Sequence, residues 1–419
     1  MKKRLLDWIL CPNCGERPRL DVFQQERVEL PSPISASPAC AFYCGRQGVF
    51  RPGEMTPAPD CDACYREEIL EGALACVCGL VYPIIEGVPR MLRNAREEYP
   101  DFFARHGLAG VAKQATPAAP AAPVADGRSS KSFGLQWTLY QEGDHTWFKD
   151  DADLRKREFL YNLDTTPDEL RRSTLLDGGC GNGELTRAVA EYGPEIVAMD
   201  FSRSVEPARR RLFEKGFAVS HRVHYLQGNI LELPLLAKSF DIVHTSGVLH
   251  HTPSTYRAFR SISRAVKPGG KLYVQLYRRR PAWIHAINVS LRAATTRMPM
   301  GLLYGLCYVT TPVHAALSRL AHFLRGEPAP PRATARERAV QMFDNYSPRF
   351  QYRHTVPEIM ELFRSEGYLD LRDVTLDNEA RHMLAVLGRR KLEGETLSPP
   401  AAAETAPQAP APMARQQTA

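Results

Sequence analysis

At 419 residues the chain exceeds one ordinary core and points to two folded units plus connecting segments. Hydrophobic residues at 44% and charged residues at 24% are ordinary for a soluble globular protein, and a formal net charge of +7 permits contact with nucleic acid or acidic lipid while arguing for neither. The apolar stretch after Met1-Lys2-Lys3-Arg4 is too short for a signal peptide, so the expected compartment is a reducing cytoplasm.

Taken in chain order, residues 1–100 form a cysteine-rich unit: eight of the ten cysteines lie between Cys11 and Cys78, and in a cytosolic chain such a cluster reads as metal ligands. An Ala/Pro linker follows over 109–130. Strand-like runs then alternate with helical ones. The strands are Thr174–Asp177, Ile196–Asp200, Val223–Leu226, Phe240–Thr245 and Lys271–Leu276; the helices are Glu184–Tyr192, Ser204–Lys215 and Thr255–Val266. A helix at Val356–Glu366 and a closing strand pair, Tyr368–Leu376 and His382–Gly388, complete the pattern. This predicts an α/β fold with a Rossmann-like, seven-stranded, mostly parallel sheet over 131–280 and 341–392. Residues 281–340 interrupt it as a helical insertion. Met298–Ser318 holds no Asp, Glu, Lys or Arg, but Pro299, Pro312 and His314 disfavour a regular spanning helix, so a packed cap or a membrane-surface segment is expected. Residues 393–419, rich in Ala, Pro and Gln, read as a disordered tail.

The segment Asp177-Gly178-Gly179-Cys180-Gly181-Asn182-Gly183 carries a glycine-rich turn between a buried strand and a helix. Its spacing is G-x-G-x-G after an acid, not the G-x-G-x-x-G of a dinucleotide site. Asp177 would repel a pyrophosphate and suit a cationic ligand such as a sulfonium amino acid. Asp200, ending the second strand, can accept hydrogen bonds from ribose hydroxyls, and Phe201 can pack on an adenine face. Asn229 can meet an adenine edge while Ile230 covers the ring.

These motifs, in this order, resemble the class I S-adenosylmethionine (SAM)-dependent methyltransferases, in the methyltransferase-11 branch that includes the ubiquinone and menaquinone C-methyltransferases. The likeness covers 131–277 closely and 346–390 more loosely. It implies that Asp177, Gly179, Gly181 and Gly183 line the methionine portion of SAM, that Asp200 holds the ribose, and that Asn229 and Ile230 hold the adenine. Gly178, Phe201 and Ser246 complete the expected cofactor set. Many relatives carry Asp where this chain has Asn229. Phe133-Gly134-Leu135-Gln136-Trp137 resembles the FGxxW segment of methyltransferases that carry an N-terminal zinc-ribbon-like domain.

Cys11-Pro12-Asn13-Cys14 and Cys76-Val77-Cys78 resemble the small zinc-ribbon family found fused to methyltransferases or acting as their activating partner. The chain departs from it in having Ala75 where a cysteine is usual, and in an insertion carrying Cys40, Cys44, Cys61 and Cys64. Eight thiols can saturate two tetrahedral zinc ions. The preferred pairing is Cys11, Cys14, Cys76 and Cys78 on one and Cys40, Cys44, Cys61 and Cys64 on the other, with an exchange between sites left open.

For the acceptor side, His250 and His251 after the fourth strand are the candidate catalytic groups. Tyr346, Arg349, Tyr352 and His354 are candidates for substrate binding. The expected activity is methyl transfer to a small-molecule, glycan-precursor or lipid acceptor. The alternatives are a zinc-finger-bearing RNA methyltransferase, or a non-catalytic SAM-binding scaffold whose cysteine-rich unit recruits a protein partner. Modest charge without an aromatic-laced basic stripe weighs against RNA. A membrane-peripheral position would follow if 281–340 meets a bilayer.

Overall fold

The computed structural model describes residues 1–31, 34, 39–54, 59–108, 127–139, 152–214, 220–326, 333–376 and 382–395. The tail beyond 395 and the linker residues 109–126 lie outside the described residues.

The centre of the molecule is a seven-stranded sheet. Its strands are β7 (Thr174–Gly178), β8 (Glu195–Asp200), β9 (Val223–Gly228), β10 (Phe240–Ser246), β11 (Val266–Tyr277), β12 (Tyr368–Asp373) and β13 (Met383–Arg390), in the order β9-β8-β7-β10-β11-β13-β12. The first five run parallel and β13 is antiparallel to β11. Leu175, Leu176, Ile196, Val197, Ile242 and Val243 are buried, as strands covered on both faces require. The chain leaves β7 in one direction through β8 and β9, then returns to β7's other side with β10. That reversal opens a crevice at the carboxyl ends of β7 and β10, where ligands bind in open α/β sheets.

Most expected elements appear within a few residues of their predicted bounds. One helix ends early: Thr255–Ser263 stops before Val266, which already pairs with Phe240 as the start of β11. The Lys267-Pro268-Gly269-Gly270 stretch is an irregularity within that strand, not a helix terminus, with Gly269 at φ +78°. The linker is also shorter than expected, because residues 127–130 open the Gly127–Leu139 helix.

The cysteine-rich segment is built onto this sheet. It contributes β1 (Arg19–Arg27), β4 (Glu67–Ala75), β5 (Val81–Ile85) and β6 (Val88–Met91), with a separate hairpin of β2 (Tyr43–Cys44) and β3 (Val49–Phe50). β6 pairs in parallel with β9, giving one 11-stranded sheet. Trp8 is buried and stacks on Phe240 at 5.7 Å, and Leu10 and Trp8 exchange backbone hydrogen bonds with Pro234 and Leu236. The fully buried Arg90 is held by Glu206 at 3.0 Å and by Gln227 at 3.4 Å, the pairing that a buried guanidinium demands. The N-terminal segment therefore buttresses the loop after β9, where Asn229 and Ile230 sit.

Between β11 and the Val356–Ser365 helix the insertion forms Ala282–Thr295, Met300–Val309 and Thr311–Leu324, followed by Ala335–Tyr346. Pro299 and Pro312 fall at helix starts, where a missing N–H costs nothing. Among the described residues no single helix is long and apolar enough to cross a membrane.

Candidate active site

The glycine turn after β7 has a different task at each position. Gly179 (φ +93°) lines the crevice, and a Cβ there would lie 2.1 Å from Val248. Gly181 (φ +54°) faces the Trp137 ring, which a Cβ would meet at 2.7 Å. Gly183 (φ +75°) instead lets the Glu184–Ala190 helix pack, since its Cβ would lie 2.8 Å from the Tyr225 hydroxyl and 2.9 Å from Ala208. Gly178 points into the core at Ile262. Of the expected cofactor glycines, the structure brings Gly179 and Gly181 to the cavities; Gly178 packs against Ile262 in the core and Gly183 against Tyr225 and Ala208.

Asp200 ties this turn to the end of β8. Its Oδ2 accepts from the Gly181 N–H at 2.9 Å, and its Oδ1 from the Ser202 N–H and hydroxyl at 2.8 and 2.7 Å. Burial raises its pKa against those hydrogen bonds. Oδ2, with a single donor, retains acceptor capacity, whereas Oδ1 is filled by Ser202. Asn229 and Ile230 reach the same cavity with Phe201. The Asn229 Oδ1 accepts from the Leu231 N–H at 3.0 Å, capping the short helix Ile230–Glu232, which turns its amide donor toward other partners.

Two adjoining cavities result. The first, of about 140 Å³, lies between Asp200, Phe201, Asn229 and Ile230 on one side and Phe133, Trp137 and Phe350 on the other. The Gly127–Leu139 helix thus roofs the crevice with the FGxxW residues. The second, of about 380 Å³, is walled by Asp177, His244, Tyr273, Gln275, Tyr277 and Asp344. Gly179, Ser246, Gly247 and His251 line both and mark the passage between them.

Asp177 faces the second cavity, held by the Thr186 hydroxyl at 2.6 Å and by His244 Nδ1 at 3.4 Å. His251 Nδ1 bonds the Phe350 carbonyl at 2.9 Å; burial, countered in part by that bond, lowers its pKa to about 4. It is therefore a neutral imidazole with Nδ1 as donor and Nε2 as acceptor. His250 is fully buried between His251 and Tyr277, its ring 4.0 Å from the tyrosine's, and it lines neither cavity.

Asp344 was not legible as a site residue. It is buried and accepts from the Tyr277 hydroxyl at 3.1 Å, and burial pushes its pKa up to about 6 against its hydrogen bonds. It sits within the Ala335–Tyr346 helix with no motif around it. Of the candidates over 346–354, Tyr346 lines a third cavity, whereas Arg349, Tyr352 and His354 line none of the three. His354 is occupied with Thr255 at 3.1 Å, and the Tyr352 hydroxyl with the Pro253 carbonyl at 3.2 Å. Their neighbours Phe350 and Arg353 face cavities in their place.

Residues 176–274 match the methyltransferase domain family. That segment is a methyltransferase-family domain. The chain is 32% identical over 134 residues to a ubiquinone biosynthesis O-methyltransferase of Xanthomonas euvesicatoria, covering 32% of this chain and 55% of that protein. A Pseudomonas paraeruginosa enzyme of the same name is 32% identical over 120 residues, covering 28% and 50%. The chain spans about half the length of the curated relatives it matches. Magnesium protoporphyrin IX methyltransferase from Synechocystis, solved with S-adenosylhomocysteine, overlays at a TM-score of 0.37 with 14% identity, covering 64% of this chain and 98% of that one. That overlay is loose; the strand order of the sheet is what defines the fold.

The methyltransferase domain's residues fit a SAM molecule. Gly179 and Gly181 bring bare backbone to the cavity walls, Asp200 offers an acceptor oxygen at the rim, and apolar side chains flank the first cavity.

At the N-terminus, Cys11, Cys14, Cys76 and Cys78 bring four sulfurs within 4.8 Å of one another. Cys14 and Cys76 are 3.3 Å apart and Cys11 and Cys78 3.7 Å, close to the ~3.8 Å edge of a tetrahedron with zinc–sulfur bonds near 2.3 Å. Two tight turns present them, closed by Gly15 N–H on the Cys11 carbonyl and Gly79 N–H on the Cys76 carbonyl. Cys40, Cys44, Cys61 and Cys64 are all buried, and Cys61 sulfur accepts from the Ala39 N–H at 3.2 Å. Among the described residues only the first tetrad has all its sulfurs within 4.8 Å.

Proposed function

We propose that this chain is a SAM-dependent methyltransferase that methylates a hydroxyl of a small, lipid or glycan-precursor acceptor. When bound, SAM supplies an electrophilic methyl group on its sulfonium sulfur. Asp200 would hold the ribose hydroxyls, Phe201, Asn229 and Ile230 the adenine, and Gly179 with Gly181 the methionine side. Asp177 adds negative charge toward the sulfonium. The observation that carries the reading is the passage at Gly179, Ser246 and His251, where the cavity beside Asp200 opens onto a second one walled by Asp344.

In-line transfer asks the protein to align the acceptor oxygen and exclude water. The Phe133 and Trp137 roof serves the exclusion. The Asp344 carboxylate, poised near pH 6, accepts the hydroxyl proton, while the neutral His251 ring lines the passage through which the hydroxyl meets the methyl group. The curated relatives, named as O-methyltransferases of ubiquinone biosynthesis, support an oxygen nucleophile. The first cysteine tetrad would hold one structural zinc: four thiolates leave no open position for chemistry.

Calorimetry of the purified chain with SAM tests the reading, with Asp200→Ala as control. Binding by the parent that the variant loses supports it; a parent chain that ignores SAM ends it.

A further inference from the structure

The insertion between β11 and the Ala335–Tyr346 helix is fastened along one side only. Leu303 and Cys307 pack on Ala339 and Phe343, and Arg292 donates to the carbonyls of Asn345 and Pro348. Its other faces are apolar and exposed. Among the described residues, thirteen of the twenty exposed large hydrophobic side chains lie between Trp283 and Leu324, including Trp283 at 67% and Phe323 at 79% exposure. Soluble monomers rarely expose apolar patches of that extent without a partner.

Charge says what the partner is. From 281 to 326 there is no Asp or Glu, while Arg297, Arg319 and Arg325 are exposed around the apolar face. A second copy of the chain would set these arginines against one another with no acid between them. An anionic lipid surface complements both the arginines and the apolar side chains. Met300–Val309 and Thr311–Leu324 together are apolar enough to span but bend by 54°, a shape suited to lying in the interfacial plane.

Behind this face lies the third cavity, of about 550 Å³, lined by Arg280, His314, His322, Arg325, Arg353 and His382 among others, with no Asp or Glu in its lining among the described residues. Burial and the neighbouring Arg280 push the Arg353 guanidinium down to about 10, the mark of cations crowding one another. The cavity shares Tyr277 and His382 with the acceptor cavity.

We propose that the Ala282–Leu324 insertion docks on an anionic phospholipid bilayer, and that the cationic cavity behind it receives the phosphate-bearing headgroup of a lipid-borne methyl acceptor. The acceptor's role rests on the methyl-transfer reading above; the docking does not. Flotation of the full chain with vesicles of phosphatidylcholine, alone or mixed with phosphatidylglycerol, tests the docking, with SAM calorimetry on the same preparation. Binding to the mixed vesicles should weaken about thirtyfold in Arg319→Gln/Arg325→Gln at low salt and about a hundredfold in Phe323→Ser/Leu324→Ser, with SAM affinity unchanged in both. A monodisperse chain that binds SAM and floats with neither vesicle overturns the docking. So does self-association that Phe323→Ser/Leu324→Ser abolishes in a chain that does not float. Flotation without SAM binding would sink the methyl-transfer reading and leave the docking standing. For the cavity, calorimetry with a soluble short-chain phosphatidic acid should show binding that Arg280→Gln weakens about tenfold and Arg297→Gln leaves alone. Equal affinity for inorganic phosphate would mark a free-anion site and overturn the lipid-borne headgroup.

Discussion

The two halves of the cleft are built in opposite ways. On the cofactor side, Gly179, Gly181, Asp200, Asn229 and Ile230 come from three consecutive strand ends within about fifty residues, and hydrogen bonds such as Gly181 N–H to Asp200 tie them into one unit. On the acceptor side, His251, Tyr277 and Asp344 come from segments up to 93 residues apart, and burial is the largest influence on their properties. The first arrangement recognises a constant ligand with backbone and short side chains. The second leaves room for variation, because each wall belongs to a different element that can change without disturbing the rest.

Stripping metal would break this contrast most severely. The Cys11, Cys14, Cys76 and Cys78 turns anchor the segment whose Leu10 and Trp8 clasp the loop after β9. Structural zinc sites hold on the order of 10 kcal/mol of folding free energy, so a strong chelator should lower Tm and remove SAM binding together, with zinc restoring both. Calorimetry and metal analysis check this; a chelated chain that still binds SAM normally would uncouple the segment from the cofactor side.

The next effect belongs to the acceptor side. Asp344→Asn should lower kcat by about 10²- to 10⁴-fold, as loss of a general base does, while leaving SAM affinity within about twofold. In the parent chain the rate should rise with pH through about 6 as Asp344 ionises. Because its folded pKa lies above the usual carboxylate value, its ionisation favours unfolding: the stability it contributes is complete below about 4 and is lost as pH rises through about 6. The Asn variant should therefore gain up to about 3 kcal/mol relative to the parent at neutral pH. pH–rate profiles and denaturant melts read both effects, and an unchanged acidic limb in the variant would move the base elsewhere.

Asp200→Ala should act on the other half alone, weakening SAM about a hundredfold through lost charge-assisted hydrogen bonds. The gentlest prediction separates packing glycines from binding ones. Gly183→Ala should cost about 2 kcal/mol of stability through its left-handed backbone and its contact with Tyr225, yet retain SAM affinity. Gly179→Ala should lose both.

The same asymmetry decides which site residues are legible in the sequence. Asp177 to Gly183, Asp200 and the Asn229-Ile230 pair carry local signals, since a turn with positive φ demands glycine and a strand end demands a particular spacing. Even there the role of Gly178 is not legible, because a glycine excluded from bearing a Cβ by Ile262 looks identical in sequence to one excluded by a ligand. His250 and His251 are adjacent and chemically alike. Only the packing of Tyr277 on one and the Phe350 carbonyl on the other separates a buried ring from one that lines the cleft.

The strand-and-helix alternation, the glycine turn and the acid at the end of β8 were determined by sequence alone, because each depends on residues close in the chain; the grouping of Cys11 and Cys14 with Cys76 and Cys78, left open by sequence, came from the fold. The fusion of the cysteine-rich strands to β9, the carboxyl of Asp344 raised by burial and the outward apolar faces of the insertion were decided by tertiary structure. Burial is a property of what packs against a residue, and those partners lie tens to hundreds of residues away.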